Sequence, residues 1–238
     1  MNDWCVGGAC AAVETACGAA TPALFRVTKL AWEGPALTFL APGGIEVALD
    51  EAMDVALAQS LVNSYAPLDL IFGLAPMDTK GPSALQLGTA ACLRDAYGVV
   101  TSCPWPASGA ALDGVEYCLD GDPCEALSAA PPGPAFGVLG GVSGPLTLGA
   151  GLGGSIEPAA AAVVGQLKGL PDPTGISSGT LSLFLGAEAA EGVTMAPPLM
   201  APMALSDLLD PGALSDVDGL AGWWLHLDFE AVRIPIIP

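Results

Sequence analysis

Apolar and polar residues alternate strictly along residues 222–233, close to the C-terminal end of the sequence. The apolar members are Trp223, Leu225, Leu227, Phe229 and Ala231, and they alternate with Trp224, His226, Asp228 and Glu230. Successive side chains of a β-strand point to opposite faces of the sheet. The pattern therefore predicts a long strand with one buried face and one solvated face.

Similar patterns predict further strands in the rest of the chain. Residues 181–185 and 68–74 alternate in the same way. Shorter strands are predicted at residues 24–32, 36–40, 45–49 and 146–148. Much of the chain is therefore expected to be extended.

Helix signals are fewer. Residues 50–62 begin with Asp50 as an N-cap, carry acidic residues in the first turn and repeat apolar residues at helical spacing. A second short helix is predicted at residues 206–209. Residues 158–167 suit either structure, because their alanines favour a helix while the flanking pattern favours a strand.

Glycine and proline interrupt the whole chain. There are 31 glycines and 22 prolines among 238 residues, which predicts short elements joined by turns. Many short strands with little helix predict a mainly β fold, an antiparallel β-sandwich or barrel-like structure with one or two short helices and local disulfide loops. We divide the chain into a Cys-rich N-terminal segment, residues 1–20, and a single β-rich domain, residues 21–238.

Charge excludes several classes of protein. Acidic residues outnumber basic ones by 25 to 6, for a net charge of −19, yet 52% of residues are hydrophobic. A chain this apolar buries a core, which excludes wholesale disorder. Its charge repels phosphate backbones and anionic headgroups, because binding to them requires cationic side chains. Nucleic-acid binding and polybasic membrane docking are therefore excluded.

The seven cysteines fall into three local groups: Cys5, Cys10 and Cys17; Cys92 and Cys103; Cys118 and Cys124. The last two groups have the spacing of short disulfide loops. A zinc site is not indicated, because the chain has no C-x-x-C pair and one histidine. Disulfides indicate an extracellular, cell-surface or periplasmic protein. The N-terminal group is odd in number, so one thiol pairs across the fold, pairs with another chain or stays free.

The N-terminal residues and the longest uncharged stretch are the candidate regions for a secretory signal and a membrane-spanning segment. The N-terminal residues lack the basic start and apolar run of a secretory signal, so we expect a mature or excised fragment of an exported protein. Residues 126–156 carry no charge, but the glycines and prolines there would leave backbone groups unsatisfied in a bilayer. We predict buried strands and turns there, and no membrane-spanning segment.

Two motifs suggest enzymatic chemistry. Residues 149–154 fit the G-x-G-x-x-G pattern of dinucleotide-binding turns, although the flanking pattern does not form the required βαβ unit. Residues 175–179 fit G-x-S-x-G, and Ser177 is followed by Asp207 and His226 in the order of the α/β-hydrolase triad. A strand is predicted after that serine, whereas a nucleophile elbow requires a helix. Turn glycines and an exposed cross-strand histidine are the favoured interpretations.

Two acidic turn regions contain oxygen ligands of the kind that calcium prefers. One contains Asp120 and Asp122, and the other contains Asp216 and Asp218. Neither completes the EF-hand pattern. Solvated turns are the favoured interpretation, calcium is the alternative, and no other cofactor is indicated.

Trp224 and three methionines are candidates for contact with a partner or ligand. Trp223 belongs to the apolar series, whereas Trp224 shares the outer face of the strand with His226, where it is either covered or exposed at an interface. The apolar run at residues 194–205 contains Met195, Met200 and Met203. These methionines either line an adaptable groove or fill gaps in the core.

The sequence resembles an uncharacterised domain of large secreted proteins from myxobacteria and related bacteria. Residues 156–209, followed by Gly-Trp-Trp-Leu-His-Leu-Asp-Phe at 222–229 with Val232 and Pro235, are similar to its closing half. Residues 24–30, 63–78 and 92–103 are similar to its front half. The Asp-rich turn that usually precedes the 68–74 strand is missing, so the resemblance does not carry calcium over. It implies export and membership of a multidomain surface protein, and no activity.

These features predict a non-catalytic structural or interaction module of a secreted or cell-surface assembly. Its expected partners are other protein domains or copies of itself. One alternative is a domain that binds lipid or a small hydrophobic ligand in an apolar cavity. The other is a serine hydrolase that uses Ser177 and His226.

Overall fold

The structure is a computed structural model of the 238-residue chain. It describes residues 3–6, 9–12, 23–62, 68–74, 84–106, 109–113, 115–118, 135–142, 144–148, 152–153, 155–168, 173–195 and 201–237.

One antiparallel sheet of ten strands contains most of the strand residues in the described chain. In spatial order its strands are β10 (Ala110–Asp113), β7 (Ala84–Thr89), β6 (Leu70–Leu74), β3 (Ala23–Gly34), β19 (Leu220–Ile234), β15 (Gly175–Gly186), β14 (Ala160–Lys168), β12 (Ala135–Gly141) and β11 (Glu116–Cys118). The tenth strand, β18 (Ser215–Val217), pairs with the beginning of β19. The long strands β3, β19 and β15 lie side by side at the centre.

The sheet curls into a nearly closed barrel. Its two edge strands, β10 and β11, are consecutive in the chain, and only residues 114–115 lie between them. The loop after β12 also meets the chain just before β10, where a Cβ on Gly144 would collide with the carbonyl oxygen of Gly109. The prediction of a mainly β, antiparallel fold, either a sandwich or barrel-like, is therefore confirmed, and the fold is the barrel-like one.

Smaller elements surround the barrel. Short strand groups are formed by β1 (Asp3–Val6) with β2 (Ala9–Ala12), β4 (Thr38–Ala41) with β5 (Ile45–Ala48), β8 (Leu93–Arg94) with β9 (Val100–Ser102), and β13 (Leu152–Gly153) with β16 (Thr194–Met195) and β17 (Met203–Ala204). The helices among the described residues are α1 (Asp50–Val62) and α2 (Ala187–Gly192), and 3-10 turns lie at Leu205–Asp207 and Pro211–Ala213.

Helix α1 packs along β3. Its buried residues are Met53, Leu57, Ser60 and Leu61. Polar contacts fix its two ends: Asp50 and Asp54 accept hydrogen bonds from the backbone N–H groups of Leu37 and Trp32, and the carbonyl of Leu61 accepts one from Arg26. The helix predicted at residues 50–62 is confirmed.

The interior of the barrel is filled by apolar side chains. On β19 the predicted alternation is present, since Trp223, Leu225, Leu227, Phe229 and Ala231 are all buried. The rings of Phe72 on β6 and Phe229 on β19 stack with their centroids 4.5 Å apart. Burial of such large aromatic side chains supplies much of the free energy that holds the sheet closed.

One row of the interior depends on two glycines. Phe136 on β12, Gly165 on β14, Gly179 on β15 and Phe229 on β19 are direct neighbours across four strands. The ring of Phe136 lies over Gly165 and the ring of Phe229 over Gly179, so that a Cβ on either glycine would collide with the ring. The missing side chains make room for the two phenylalanines.

Several predicted elements need correction. Residues 146–148 form no strand; Leu146 makes an isolated bridge to Ile156. The predicted helix at 206–209 is a 3-10 turn at Leu205–Asp207, and the ambiguous stretch 158–167 is strand β14. Helix α2 was not predicted. The alternation puts Phe184 on the same face of β15 as Thr180 and Ser182, and it lies there, but it is completely buried.

No helix among the described residues is long and apolar enough to cross a membrane.

Candidate interaction surfaces

The serine and histidine of the G-x-S-x-G hypothesis are not brought together. His226 is paired with Ser182 on the neighbouring strand, with 2.8 Å between Nδ1 and Oγ. Ser177 lies five residues further along β15, roughly 15 Å away on an extended strand, and its hydroxyl donates to Gln166. Asp207 lies in the 3-10 turn at Leu205–Asp207. Ser177 and His226 therefore do not form the hydrogen-bonded pair that a triad requires.

The glycines of the same motif allow close packing within the sheet. A Cβ on Gly175 would approach the carbonyl oxygen of Ala231 to 2.5 Å, and Gly179 lies under Phe229. Ser177 lies where the register between β15 and β19 shifts. A β-bulge, and not a strand-to-helix elbow, accounts for the G-x-S-x-G spacing. The G-x-G-x-x-G motif lies outside the described residues except at Leu152 and Gly153, which form β13.

Asp216 and Asp218 form a hairpin turn. Asp218 and Gly219 have φ angles of 54° and 82°, and they join Val217 to its partner Leu220 as a two-residue loop. Such loops require positive φ at both positions, which Asp-Gly tolerates. The Asp216 carboxylate accepts a hydrogen bond from the Gly219 N–H. Asp120 and Asp122 lie outside the described residues, and elsewhere in the described chain no group of three or more possible metal ligands occurs.

The methionine candidates differ in their surroundings. Met195 is buried in the main core, and Met203 packs against that core while half-buried. Met200 lies outside the described residues. Met195 therefore fills the interior, and Met203 covers part of it.

One of the predicted disulfides is present. Cys92 and Cys103 are bonded, which confirms the expected short loop. Cys5 and Cys10 are opposite each other in the register of β1 and β2. The pairings that involve Cys17, Cys118 and Cys124 lie outside the described side chains.

The Cys92–Cys103 disulfide closes a segment that we call the stapled hairpin, residues 92–103. Strands β8 and β9 form its stem. At its tip, Asp95 accepts hydrogen bonds from the N–H groups of Tyr97 and Val99, both 2.9 Å long, and Gly98 turns the chain with φ of 81°. Tyr97 is 93% exposed at the end of this turn. Its backbone is thus held rigidly while its side chain extends into solvent.

A buried carboxylate anchors the stapled hairpin to the barrel. Arg94 of the hairpin and Arg26 of β3 both donate to Asp69, which is only 3% exposed. Burial by itself would raise the pKa of Asp69, but the hydrogen bonds from Arg94 and Arg26 prevail and hold that pKa below its usual value. The cluster is therefore charged and paired at neutral pH.

The segment that follows the disulfide covers the outer face of β6. The indole of Trp105 lies over Gly73, where a Cβ would come within 2.7 Å of the ring, and its Nε1 donates to Gln86. Cys103 bonds through its backbone to Pro235 and Ile237, so the C-terminal residues run beside it. A small second core forms there from Leu24, Ile71, Cys103 and Ile234. This cover explains why β6 is buried on both faces.

A second surface lies on the outer face of β14, β15 and β19. Two cross-strand pairs stand on it: Ser182 with His226, and Thr180 with Asp228, whose Oγ1 to Oδ1 distance is 2.9 Å. Both pairs are exposed. Burial lowers the pKa of His226 below its usual value, so the imidazole is neutral at neutral pH. We call these four residues the polar ladder.

Trp224 continues the polar ladder towards the start of β19. Its ring is half-buried and lies against Phe184, with the centroids 5.4 Å apart and a tilt of 56°. Trp224 is therefore fixed on the outer face, as the alternation predicted, with part of the indole accessible.

No protein-family model matches this sequence, and comparison with curated proteins and with solved structures gives no match either.

Sequence reasoning did not single out the residues that build the stapled hairpin tip. Tyr97 lies in a segment without alternation, and Asp69 lies within an apolar run where it reads as an outer-face residue. The spacing Asp95-x-x-Gly98 is a turn signal that would have located the tip. The clustering of Asp69 with Arg26 and Arg94 has no local signal, because 43 and 25 residues separate the partners.

Proposed function

We propose that this protein is a non-catalytic extracellular interaction module, and that it binds a partner protein through the stapled hairpin. The main support for this proposal is that Tyr97 is exposed on a backbone that three separate contacts hold in place. The disulfide, the Asp95 side chain and the Arg94–Asp69 contact hold the hairpin.

Rigid presentation of an aromatic side chain favours binding. A tyrosine offers a large amphipathic contact area. It loses little conformational entropy on binding, because its side chain has only two rotatable bonds and its backbone is already fixed here. Leu93 and Val99, which are 56% and 60% exposed, lie on the same hairpin and add apolar area beside it. A soluble protein that holds three such side chains in solvent has a surface suited to burial by a partner.

Asp95 is the one exposed acidic residue of the hairpin, and the other exposed side chains of the hairpin are uncharged. Arg94 is committed to Asp69, and the Asp95 carboxylate accepts two backbone N–H groups. The remaining exposed side chains are apolar or carry a hydroxyl. The hairpin is therefore a mainly apolar patch on a molecule of net charge −19. Because the net charge makes copies of the protein repel each other, this patch favours a specific contact over general aggregation.

An extracellular location is part of the proposal. The disulfide, the very low content of basic residues and the resemblance to secreted surface domains support it. We infer that the module belongs to a larger surface assembly.

The test is a binding assay on the surface of the cells that produce the protein. We expect N-terminally labelled protein to bind saturably, and Tyr97→Ser to weaken that binding at least about 30-fold, the loss typical of a central interface aromatic. The matched control is Leu40→Ser, on the β4–β5 hairpin, because Leu40 is similarly exposed at 73%. It should leave binding unchanged.

Two results would contradict the proposal. One is the absence of saturable binding by the wild-type protein. The other is equal binding by wild-type and Tyr97→Ser protein when circular dichroism shows that both are folded.

A further inference from the structure

The outer face of β14, β15 and β19 combines hydroxyl, imidazole and carboxylate groups with one aromatic ring. Along β19, Trp224, His226 and Asp228 occupy successive outward positions and span about 13 Å. Ser182 and Thr180 stand opposite His226 and Asp228 on β15, and Ser178 and Gln166 follow beyond them. The outer positions of β15 and β19, together with Gln166 of β14, therefore form a row of hydrogen-bonding groups that starts at an indole.

The groups in this row are oriented before any ligand arrives. Ser182 is held by His226, Thr180 by Asp228, and the hydroxyls of Ser177 and Ser178 contact the Gln166 side chain. Pairing uses only part of their capacity, since a carboxylate has about four acceptor sites and an imidazole has two nitrogens. An incoming hydroxyl group therefore meets donors and acceptors that are already in place.

Trp224 supplies the apolar part of the row. Phe184, its cross-strand neighbour, packs against its ring and restricts the orientation of the indole relative to the polar ladder. A fixed aromatic face beside hydroxyl-binding groups matches a sugar ring, which has an apolar C–H face and a rim of hydroxyls.

We propose that this face binds a neutral polysaccharide chain. An acidic polymer is disfavoured, because the exposed Asp228 lies on this face, Lys29 beside it is already paired with Glu230, and the molecule carries a net charge of −19. An apolar peptide is disfavoured, because it would leave the polar ladder without hydrogen bonds to replace those with water. The site is separate from the stapled hairpin and does not depend on the function proposed for it.

Affinity electrophoresis tests this proposal, since a strongly acidic protein migrates well in native gels. The probes are hydroxyethyl cellulose, arabinoxylan, galactomannan and dextran, with alginate as the acidic polymer. We expect at least one neutral polymer to retard the wild-type protein and alginate to have no effect. Trp224→Leu, which preserves an apolar contact with Phe184, should weaken the retardation at least tenfold, and His226→Ala should also weaken it.

The matched control is Tyr97→Ser, an exposed aromatic on the stapled hairpin, which should be retarded as strongly as wild type. If Trp224→Leu fails to fold, His226→Ala decides the outcome, because His226 is exposed. The proposal is overturned if no neutral polymer retards the wild-type protein, if alginate alone does, or if both substitutions leave the retardation unchanged. Loss of cell binding in Tyr97→Ser with intact polysaccharide binding would show that the two surfaces are independent.

Discussion

Arg94 makes a two-pronged contact with Asp69, with distances of 2.8 Å from Nη1 to Oδ2 and 2.7 Å from Nη2 to Oδ1. The contact joins the stapled hairpin to the barrel, because Asp69 immediately precedes β6 and also accepts from Arg26 of β3. Parallel pairing of a guanidinium with a carboxylate fixes orientation as well as distance. The position of Tyr97 therefore depends on a carboxylate that is far from it in sequence.

Replacing Asp69 should destabilise the protein. Asp69→Asn leaves two partly buried arginines without their counter-charge, which costs about 3 kcal/mol of unfolding free energy. Urea unfolding near pH 7 measures the loss. Lys29 and Glu230 form an exposed ion pair, so Glu230→Gln is the control and should change stability by less than about 1 kcal/mol.

The same carboxylate predicts the acid sensitivity of the fold. Because its pKa is lower in the folded than in the unfolded protein, its contribution to stability is complete above the unfolded value, about 3.9. That contribution is lost as the pH falls through the folded pKa. We expect wild-type stability to fall more steeply than that of Asp69→Asn below about pH 4. Parallel acid dependences in the two proteins would show that Asp69 is not the responsible group.

Removing the disulfide should release the C-terminal residues. In Cys92→Ala with Cys103→Ala, we expect a loss of about 3 kcal/mol, as for short disulfide loops. The Ile237 N–H, which donates to the Cys103 carbonyl, should exchange with solvent faster. Amides between β15 and β19 should keep their protection under native conditions. Unchanged exchange at Ile237 would mean that the C-terminal contact does not need the disulfide.

Adding one methyl group at Gly179 should disrupt the barrel interior. In Gly179→Ala the new Cβ collides with the Phe229 ring, so the ring or the strand must move, at a cost of about 2 kcal/mol or more. Gly140→Ala, on β12, is the matched control, because nothing lies within 4 Å of its Cβ position. Thermal unfolding of both variants checks this. Equal melting temperatures would be incompatible with the observed packing.

His226 should titrate below the usual range of histidine. Burial disfavours its charged form, so its pKa falls below about 6.5. The neutral form is thus favoured in the folded state. The part of the folding stability that depends on a neutral His226 is therefore complete above about pH 6.5, and it declines as the pH falls towards the folded pKa. The chain has one histidine, so a single imidazole signal in an NMR titration reports the value.

Ser182→Ala is the control for this titration. Since burial is the cause of the shift, the midpoint should stay below about 6.5 without the hydroxyl. A wild-type midpoint at or above that value would show that desolvation does not lower the pKa of His226.

Strands with one buried face and one accessible face were predictable from the sequence. On β19, from Trp223 to Val232, each buried residue is followed by one that is more accessible, and period two is directly visible. Failures occurred where a second layer covers the outer face. Phe184 was assigned to the polar face and is buried there, and β6 is buried on both sides under Trp105 and Cys103. Alternation reports which face a residue occupies, but not whether another segment covers that face.

The candidate surfaces were also predictable only in part. Trp224 and His226 were placed on one outer face by their spacing, and the structure has them there. Their partners Phe184 and Ser182 follow from the register of β15, which depends on a bulge near Ser177 that no local pattern announces. The same register separates Ser177 from His226, although the order Ser, Asp, His was compatible with a triad.

By itself, the sequence determined a mainly β, antiparallel fold, the helix at residues 50–62 and the Cys92–Cys103 loop, because alternation, capping and short cysteine spacing are local properties. Only the tertiary structure decided that Asp69 holds the stapled hairpin in place and that hydroxyls, an imidazole and an indole share one face. Those relationships join residues far apart in the chain. They arise from strand register and from the packing of one layer on another, which no local pattern encodes.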